Sequence, residues 1–273
     1  MHDLNSMNST IGFIGAGNMN SAIIGGLIKS GMSPEQVIVS NPSNPKLTHL
    51  AETFGVKTTS DNKAVAEQAD VIIIGVKPHY VADVCAEISD LVSNTLIISV
   101  AAGVSMLKIA EHFTPSQAII RVMPNTPSLV GKGATGLCPN PHASSEQTQM
   151  AKSIFETVGI TEVINDEALM DLVTAISGSG PAYFFYIIEA MVKEAVQQGM
   201  PEEQAKALIY QTAAGAAEML QQSDLSPEQL RKNVTSPGGT TAAALDSLTQ
   251  DDVSRSIQRA VVAAVRRGNE LGK

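Results

Sequence analysis

Val71-Ile72-Ile73-Ile74-Gly75-Val76 is an apolar run with no polar residue in alternation. A strand with one wet face alternates apolar and polar side chains, because successive residues point to opposite sides. An unbroken run is a strand covered on both faces, as in a parallel sheet flanked by helices. Further short β-branched runs occupy 10–14, 37–40, 96–100, 118–123 and 133–138. Between them, 19–29, 46–54, 81–88 and 105–112 read as crossover helices. The alternation predicts an α/β fold built on a doubly wound parallel sheet.

After about Asp166 the rhythm changes. The stretches 168–176, 182–198, 202–221, 227–233, 240–248 and 251–270 all read as helices, with no strand between them. Gly199-Met200-Pro201-Glu202 reads as a stop followed by a restart, with Pro201 suited to a first helical turn. The expected organisation is a flexible tail at 1–9, a sheet domain at 10–165 and an all-helical domain at 166–273. Apolar residues occupy more than one face of 182–196, which fits either one well-buried core or pairing of subunits through these helices, the latter being the expectation. Aromatics make up 4% of the chain and Trp is absent, so Ala, Ile, Val, Leu and Met must fill the core.

Ile11-Gly12-Phe13-Ile14-Gly15-Ala16-Gly17-Asn18-Met19 follows the first predicted strand and opens the first helix. In that setting a G-x-G-x-x-G/A pattern marks a Rossmann-type dinucleotide site. Gly15 would make the tight turn, Gly17 would admit the pyrophosphate, and the backbone from Asn18 and Met19 would donate to it. The third small residue of the pattern is replaced by Asn20. The second strand ends in Ser40-Asn41-Pro42 with no carboxylate to hold ribose hydroxyls. Ser40 and Asn41, with Asn62 and the lysines Lys46 and Lys63 nearby, suit a ribose 2′-phosphate. NADPH is therefore the expected cofactor and NADH the alternative. Val76, Lys77 and Pro78 end the apolar run, where open parallel sheets bind ligands, and are expected to line the cofactor channel.

Near the other end stands Val234-Thr235-Ser236-Pro237-Gly238-Gly239-Thr240-Thr241. It reads either as an ordinary Pro-Gly-Gly turn with a Thr cap or as an anion-binding loop at a helix start. The net charge of −9 argues against broad nucleic-acid or anionic-membrane partners. Cys85 and Cys138 stand far apart, too few for a disulfide framework or a structural zinc site, and no metal is expected. The polar start and the lack of a membrane-length apolar segment suggest a cytoplasmic protein.

The chain resembles the pyrroline-5-carboxylate reductases. The resemblance rests on the Gly12–Met19 block, Val76-Lys77-Pro78-His79, Arg121-Val122-Met123-Pro124-Asn125-Thr126-Pro127, Ser177-Gly178-Ser179-Gly180-Pro181-Ala182-Tyr183 and the Val234–Thr241 block, in order along nearly the whole chain. It implies NAD(P)H-dependent reduction of 1-pyrroline-5-carboxylate to L-proline, the last step of proline biosynthesis. It also implies homodimers of interlocking helical domains, often in larger rings, with the active site between one subunit's cofactor domain and helices of its partner.

The chemistry agrees with such a substrate, a small cyclic imine with one carboxylate. A protonated imine is already electrophilic, so positioning can do most of the work and a strong protein acid is optional. Every histidine lies at or before His142, leaving the helical half without one. Backbone N–H groups of Gly238, Gly239 and Thr240 are expected to hold the carboxylate, with Ser236 shaping the loop. Thr241, matching the family's threonine, is expected to hydrogen-bond the ring nitrogen. A 3-hydroxyacid dehydrogenase would want a lysine or histidine soon after the second glycine-rich helix start, where Phe184 and Phe185 stand. A non-catalytic NADP-sensing or scaffold protein would keep the first glycine motif without needing the Pro-Gly-Gly-Thr-Thr loop.

Overall fold

The structure is a computed structural model and describes residues 9–272. The expected tail therefore lies, up to Asn8, outside the described residues. Eight strands form one sheet: β1 (Ile11–Ile14), β2 (Val37–Ser40), β3 (Lys57–Thr59), β4 (Val71–Ile74), β5 (Leu96–Ser99), β6 (Ile119–Met123), β7 (Gly133–Pro139) and β8 (Gly159–Val163). Their spatial order is β3-β2-β1-β4-β5-β6-β7-β8. The first six run parallel, and β7 turns back antiparallel to β6. The sheet is thus doubly wound, with one reversal that the alternation of elements does not reveal.

Both faces of the sheet are covered, which explains the unbroken apolar run of β4. Val71 and Ile73 join a core with Phe13, Ile23, Leu27 and Phe155. Ile72 and Ile74 join a separate core with Val84, Cys85 and Ile88. Helices α1 (Asn18–Lys29), α2 (Asn44–Phe54) and α6 (Ser145–Glu156) supply the first core, and α3 (Asn62–Ala66), α4 (Val81–Ile88) and α5 (Met106–Ala110) the second. Each fully buried aliphatic side chain contributes roughly 1.5–3 kcal/mol, so the sheet centre is the stable platform beneath the loops.

Two strands and two helices were not legible in the sequence. β3 is three residues long with two of them exposed, and most of β8 is exposed, so neither carries the apolar run that marks a central strand. Helix α6 is mostly polar, but Ser144 and Gln147 form a reciprocal capping box that starts it. Helix α3 is five residues long and starts at Asp61, whose carboxylate accepts from the Lys63 N–H.

The described residues divide into two compact units, one of 9–179 with 264–272 and one of Gly180–Ala263. The boundary at Ser179 and the change of rhythm at 165/166 do not coincide. Helix α7 (Met170–Val173) belongs to the first unit because Met170 and Val173 pack on Cys138 of β7. The second unit is helical throughout: α8 (Gly180–Gln197), α9 (Glu202–Gln222), α10 (Pro227–Asn233), α11 (Thr240–Gln250) and the first part of α12 (Val253–Leu271). Within Gly180–Ala263 only Gly180 and Ala205 are buried. Phe184, Phe185, Tyr186 and Val262 are each more than three-fifths exposed. Helices this apolar and this open require cover from another protein surface.

Candidate active site

Strands β2, β1 and β4 end in register, with Ile14 beside both Ser40 and Ile74. Chain direction around the sheet reverses between β1 and β4, which is where doubly wound folds open a ligand crevice. Gly15 turns the chain there with φ of +100°, a left-handed conformation that favours glycine. Its N–H donates to the Ser40 carbonyl at 2.8 Å, and Gly75 N–H donates to the Ile14 carbonyl at 2.9 Å. A Cβ on Gly15 would stand 2.8 Å from the Gly75 carbonyl oxygen. The backbone of the turn is therefore pressed against the end of β4, with no room for a side chain.

The Gly15–Ala16 peptide is held on both sides. Asn20 Nδ2 donates to the Gly15 carbonyl at 2.7 Å, and Ala16 N–H donates to Asn41 Oδ1 at 3.1 Å. Gly17, the N-cap of α1, has no side-chain cap, so the first-turn N–H groups remain for a ligand. Asn18 is exposed, and Gly17 and Met19 are half-buried. This is the cradle that a dinucleotide pyrophosphate requires.

At the ribose end, Ser40 requires a correction. It is fully buried, and its hydroxyl donates to Asn62 Oδ1 at 2.7 Å and lies 3.4 Å from the Phe13 carbonyl. A hydroxyl used inside the fold presents no donor to a 2′-phosphate; Ser40 instead orients Asn62. Asn62 Nδ2 in turn donates to Glu87 Oε2 at 2.7 Å. Asn41 is half-buried and ties the β2 end to the glycine turn, with Nδ2 donating to the Ser43 carbonyl at 3.3 Å. Val76 is half-buried beside Gly15, whereas Lys77 and Pro78 are exposed at the start of a short 3-10 turn.

Further along the sheet, Asn125 joins the loop after β6 to neighbouring backbone. It is buried after β6; its Nδ2 donates to the Ser177 carbonyl at 3.0 Å and its Oδ1 accepts from Ala134 N–H at 2.9 Å. A Cβ on Gly178 would crowd only the terminal methyl of Met123, at 2.5 Å, so the glycine lies against that side chain. Arg121 of β6, also buried, pairs with Glu167 at 3.1 Å and Asp171 at 3.2 Å. Glu167 Oε1 also accepts from Met106 N–H at 2.7 Å. Burial pushes the neighbouring Cys138 thiol up to about 11, with the Glu167 charge adding to the rise and Arg121 opposing it.

In the helical unit, residues 236–239 form a tight turn. Gly238 takes φ of +70°, and Gly239 N–H donates back to the Ser236 carbonyl at 3.0 Å. Proline second and a left-handed glycine third are what such a turn demands. Gly239 must therefore be corrected as a carboxylate donor, because the turn already uses its N–H. Gly239 serves as N-cap of α11 with no side-chain cap, which leaves the backbone of Thr240 and Thr241 as the donors of the first turn. Ser236, Gly238 and Thr240 are exposed and Thr241 is half-buried. Glu189 and Lys193 pair at 2.6 Å on an exposed helix face, as their four-residue spacing implies. Among the described residues no cluster of His, Cys, Asp and Glu could hold a metal, and no helix is long and apolar enough to cross a membrane.

Two family models match the chain, "Pyrroline-5-carboxylate reductase dimerisation" over residues 167–271 and "NADP oxidoreductase coenzyme F420-dependent" over residues 10–103. The chain is 40% identical to the pyrroline-5-carboxylate reductase of Vibrio alginolyticus over 96% of its own length and 97% of the relative's. Among solved structures, a pyrroline-5-carboxylate reductase from Coxiella burnetii superposes with a TM-score of 0.94 at 43% identity, covering 98% of this chain and 100% of that one. The Plasmodium falciparum pyrroline carboxylate reductase, solved with NADP bound, gives a TM-score of 0.88 at 34% identity, covering 97% and 99%. With a dinucleotide turn at one end, a glycine turn capping a helix at the other, and relatives matched along both, the chain belongs to the pyrroline-5-carboxylate reductase family.

Proposed function

We infer that this protein reduces 1-pyrroline-5-carboxylate to L-proline, with NADPH as the preferred hydride donor and NADH as the alternative. The observation that carries the reading is the match along nearly the full chain, which takes in both glycine turns. The cradle at Gly15 fits a dinucleotide, since a Cβ there would strike the Gly75 carbonyl and the α1 N-terminus is uncapped. When bound, NADPH supplies the hydride that converts the C=N bond to C–N, while the ring nitrogen keeps its proton.

Gly17, Asn18 and Met19 hold the pyrophosphate through backbone N–H groups, and Gly15 makes the turn that brings it close. Asn41 and Asn62 face the ribose, with Ser40 behind them, and Val76, Lys77 and Pro78 line the channel. The N–H groups of Gly238, Thr240 and Thr241 and the shape imposed by Ser236 and Gly239 hold the substrate carboxylate. The Thr241 hydroxyl orients the ring nitrogen. Positioning of this kind can supply most of the acceleration for a substrate that is already a protonated iminium.

Residues 10–165 carry the cofactor, and residues 166–273 serve dimerisation and substrate binding. The exposed apolar helices of Gly180–Ala263 are covered by a second copy, giving a homodimer or a larger homo-oligomer. The enzyme works in the cytoplasm, where its reduced cofactor is supplied. The test is NADPH oxidation by the purified protein with 1-pyrroline-5-carboxylate, with 3-oxoacids and with no substrate. Turnover with the imine alone is expected; turnover only with an oxoacid overturns the reading.

A further inference from the structure

We propose that Asn20 and Gly75 form a size-exchanged pair that positions the dinucleotide turn, a role that rests on the cofactor reading above. The dinucleotide pattern places a small residue at its third position so that helix and strand can approach. Here that position is Asn20, which is only 1% exposed. The space it needs is found at the end of β4. A Cβ on Gly75 would lie 2.3–2.5 Å from Asn20 Nδ2, Oδ1 and Cγ. The bulk omitted from the strand end has been placed on the helix.

The exchange does more than fill space. A trans peptide points its carbonyl and its N–H in opposite directions, so fixing both ends fixes the plane. Asn20 takes the Gly15 carbonyl at 2.7 Å and Asn41 takes the Ala16 N–H at 3.1 Å. The plane of this peptide sets the direction in which the chain delivers the next N–H groups, those of Gly17 and Asn18. Asn20 Oδ1 is buried and has no partner among the described residues, an unfavourable burial that accompanies the bond to Gly15. An apolar residue of the same size would fill the space and leave the Gly15 carbonyl without that donor. Asn20 is thus a positioning residue, acting on the cofactor through the turn.

The test is a double-mutant cycle on the full-length protein, with NADPH affinity measured by fluorescence titration and folding by thermal denaturation. Asn20→Gly is expected to weaken NADPH binding several-fold, and Gly75→Ala, which meets the Asn20 carboxamide, about tenfold or more. In turnover, KM for NADPH should rise more than kcat at saturation falls. Combining Asn20→Gly with Gly75→Ala should bring affinity back to about that of Asn20→Gly alone, because removing the Asn20 side chain makes room for the new methyl while the Gly15 carbonyl still lacks its donor. Additive losses in the double variant overturn the proposal. So does an Asn20→Gly protein whose melting temperature falls while its NADPH affinity stays within about twofold of the parent, a result that also decides the matter if Gly75→Ala does not fold. If the parent protein binds no NADPH, the cofactor reading itself has failed.

Discussion

Asn41, one residue beyond the second strand, accepts through Oδ1 the N–H of Ala16, which lies in the glycine turn after the first strand, at 3.1 Å. The two loops that meet a dinucleotide are therefore joined before any ligand arrives. Removing a partly buried acceptor leaves the Ala16 donor without its partner, a cost of about 1–2 kcal/mol. Asn41→Ala should weaken NADPH binding about tenfold while leaving the far-ultraviolet circular dichroism unchanged, as read by titration.

Gly15→Ala should be worse. The residue sits at φ of +100°, and the new methyl would stand 2.8 Å from the Gly75 carbonyl, a backbone atom that cannot rotate away. Strain of this kind costs on the order of 1–3 kcal/mol. Urea denaturation should report a destabilised protein, and the turn that adapts to the methyl should no longer bind NADPH measurably.

Thr241→Ala separates chemistry from cofactor binding. Loss of one hydrogen bond to a charged ring nitrogen is worth about 1.5–3 kcal/mol, or roughly 10- to 100-fold in rate. Steady-state kinetics should show that loss in turnover with 1-pyrroline-5-carboxylate, with NADPH affinity little changed. Equal losses in both, or none in either, contradict the assigned role.

Arg121 answers to Glu167 and Asp171 from inside the fold, with its side chain only 8% exposed. Arg121→Met leaves the carboxylates of Glu167 and Asp171 without their cation, and should cost about 3 kcal/mol in urea denaturation. Lys152→Ala, which breaks a surface pair with Glu156 at 3.6 Å, should cost less than about 0.5 kcal/mol.

The two cysteines predict an alkaline limit. Burial raises the Cys85 thiol from its ordinary 9.0 to about 12, and Cys138 rises to about 11. Both folded values lie above the unfolded one, so between pH 9 and 12 the folded chain binds more protons than the unfolded chain. Their contribution to stability is whole below pH 9 and is lost as pH rises from 9 towards 12. Denaturation midpoints at stepped pH should follow that slope, and a thiol reagent at pH 8 should label neither cysteine until the protein is unfolded.

The sequence by itself determined the doubly wound sheet, the helical second half and the places of both glycine turns. Those features are local: an unbroken apolar run such as Val71–Ile74 needs cover on both faces wherever it lies, and Gly15 and Pro237-Gly238 dictate turns to their own backbone. Tertiary structure alone decided which polar groups remain available to a ligand. Ser40 looked like a phosphate donor until Asn62 and Phe13, far along the chain, were seen to take its hydroxyl inward. Asn20 looked like a flaw in the nucleotide pattern until Gly75 was found to leave it room. A hydrogen bond consumes a donor wherever its partner stands in the chain, so the inventory of free groups at a site is settled only when the strands are brought side by side.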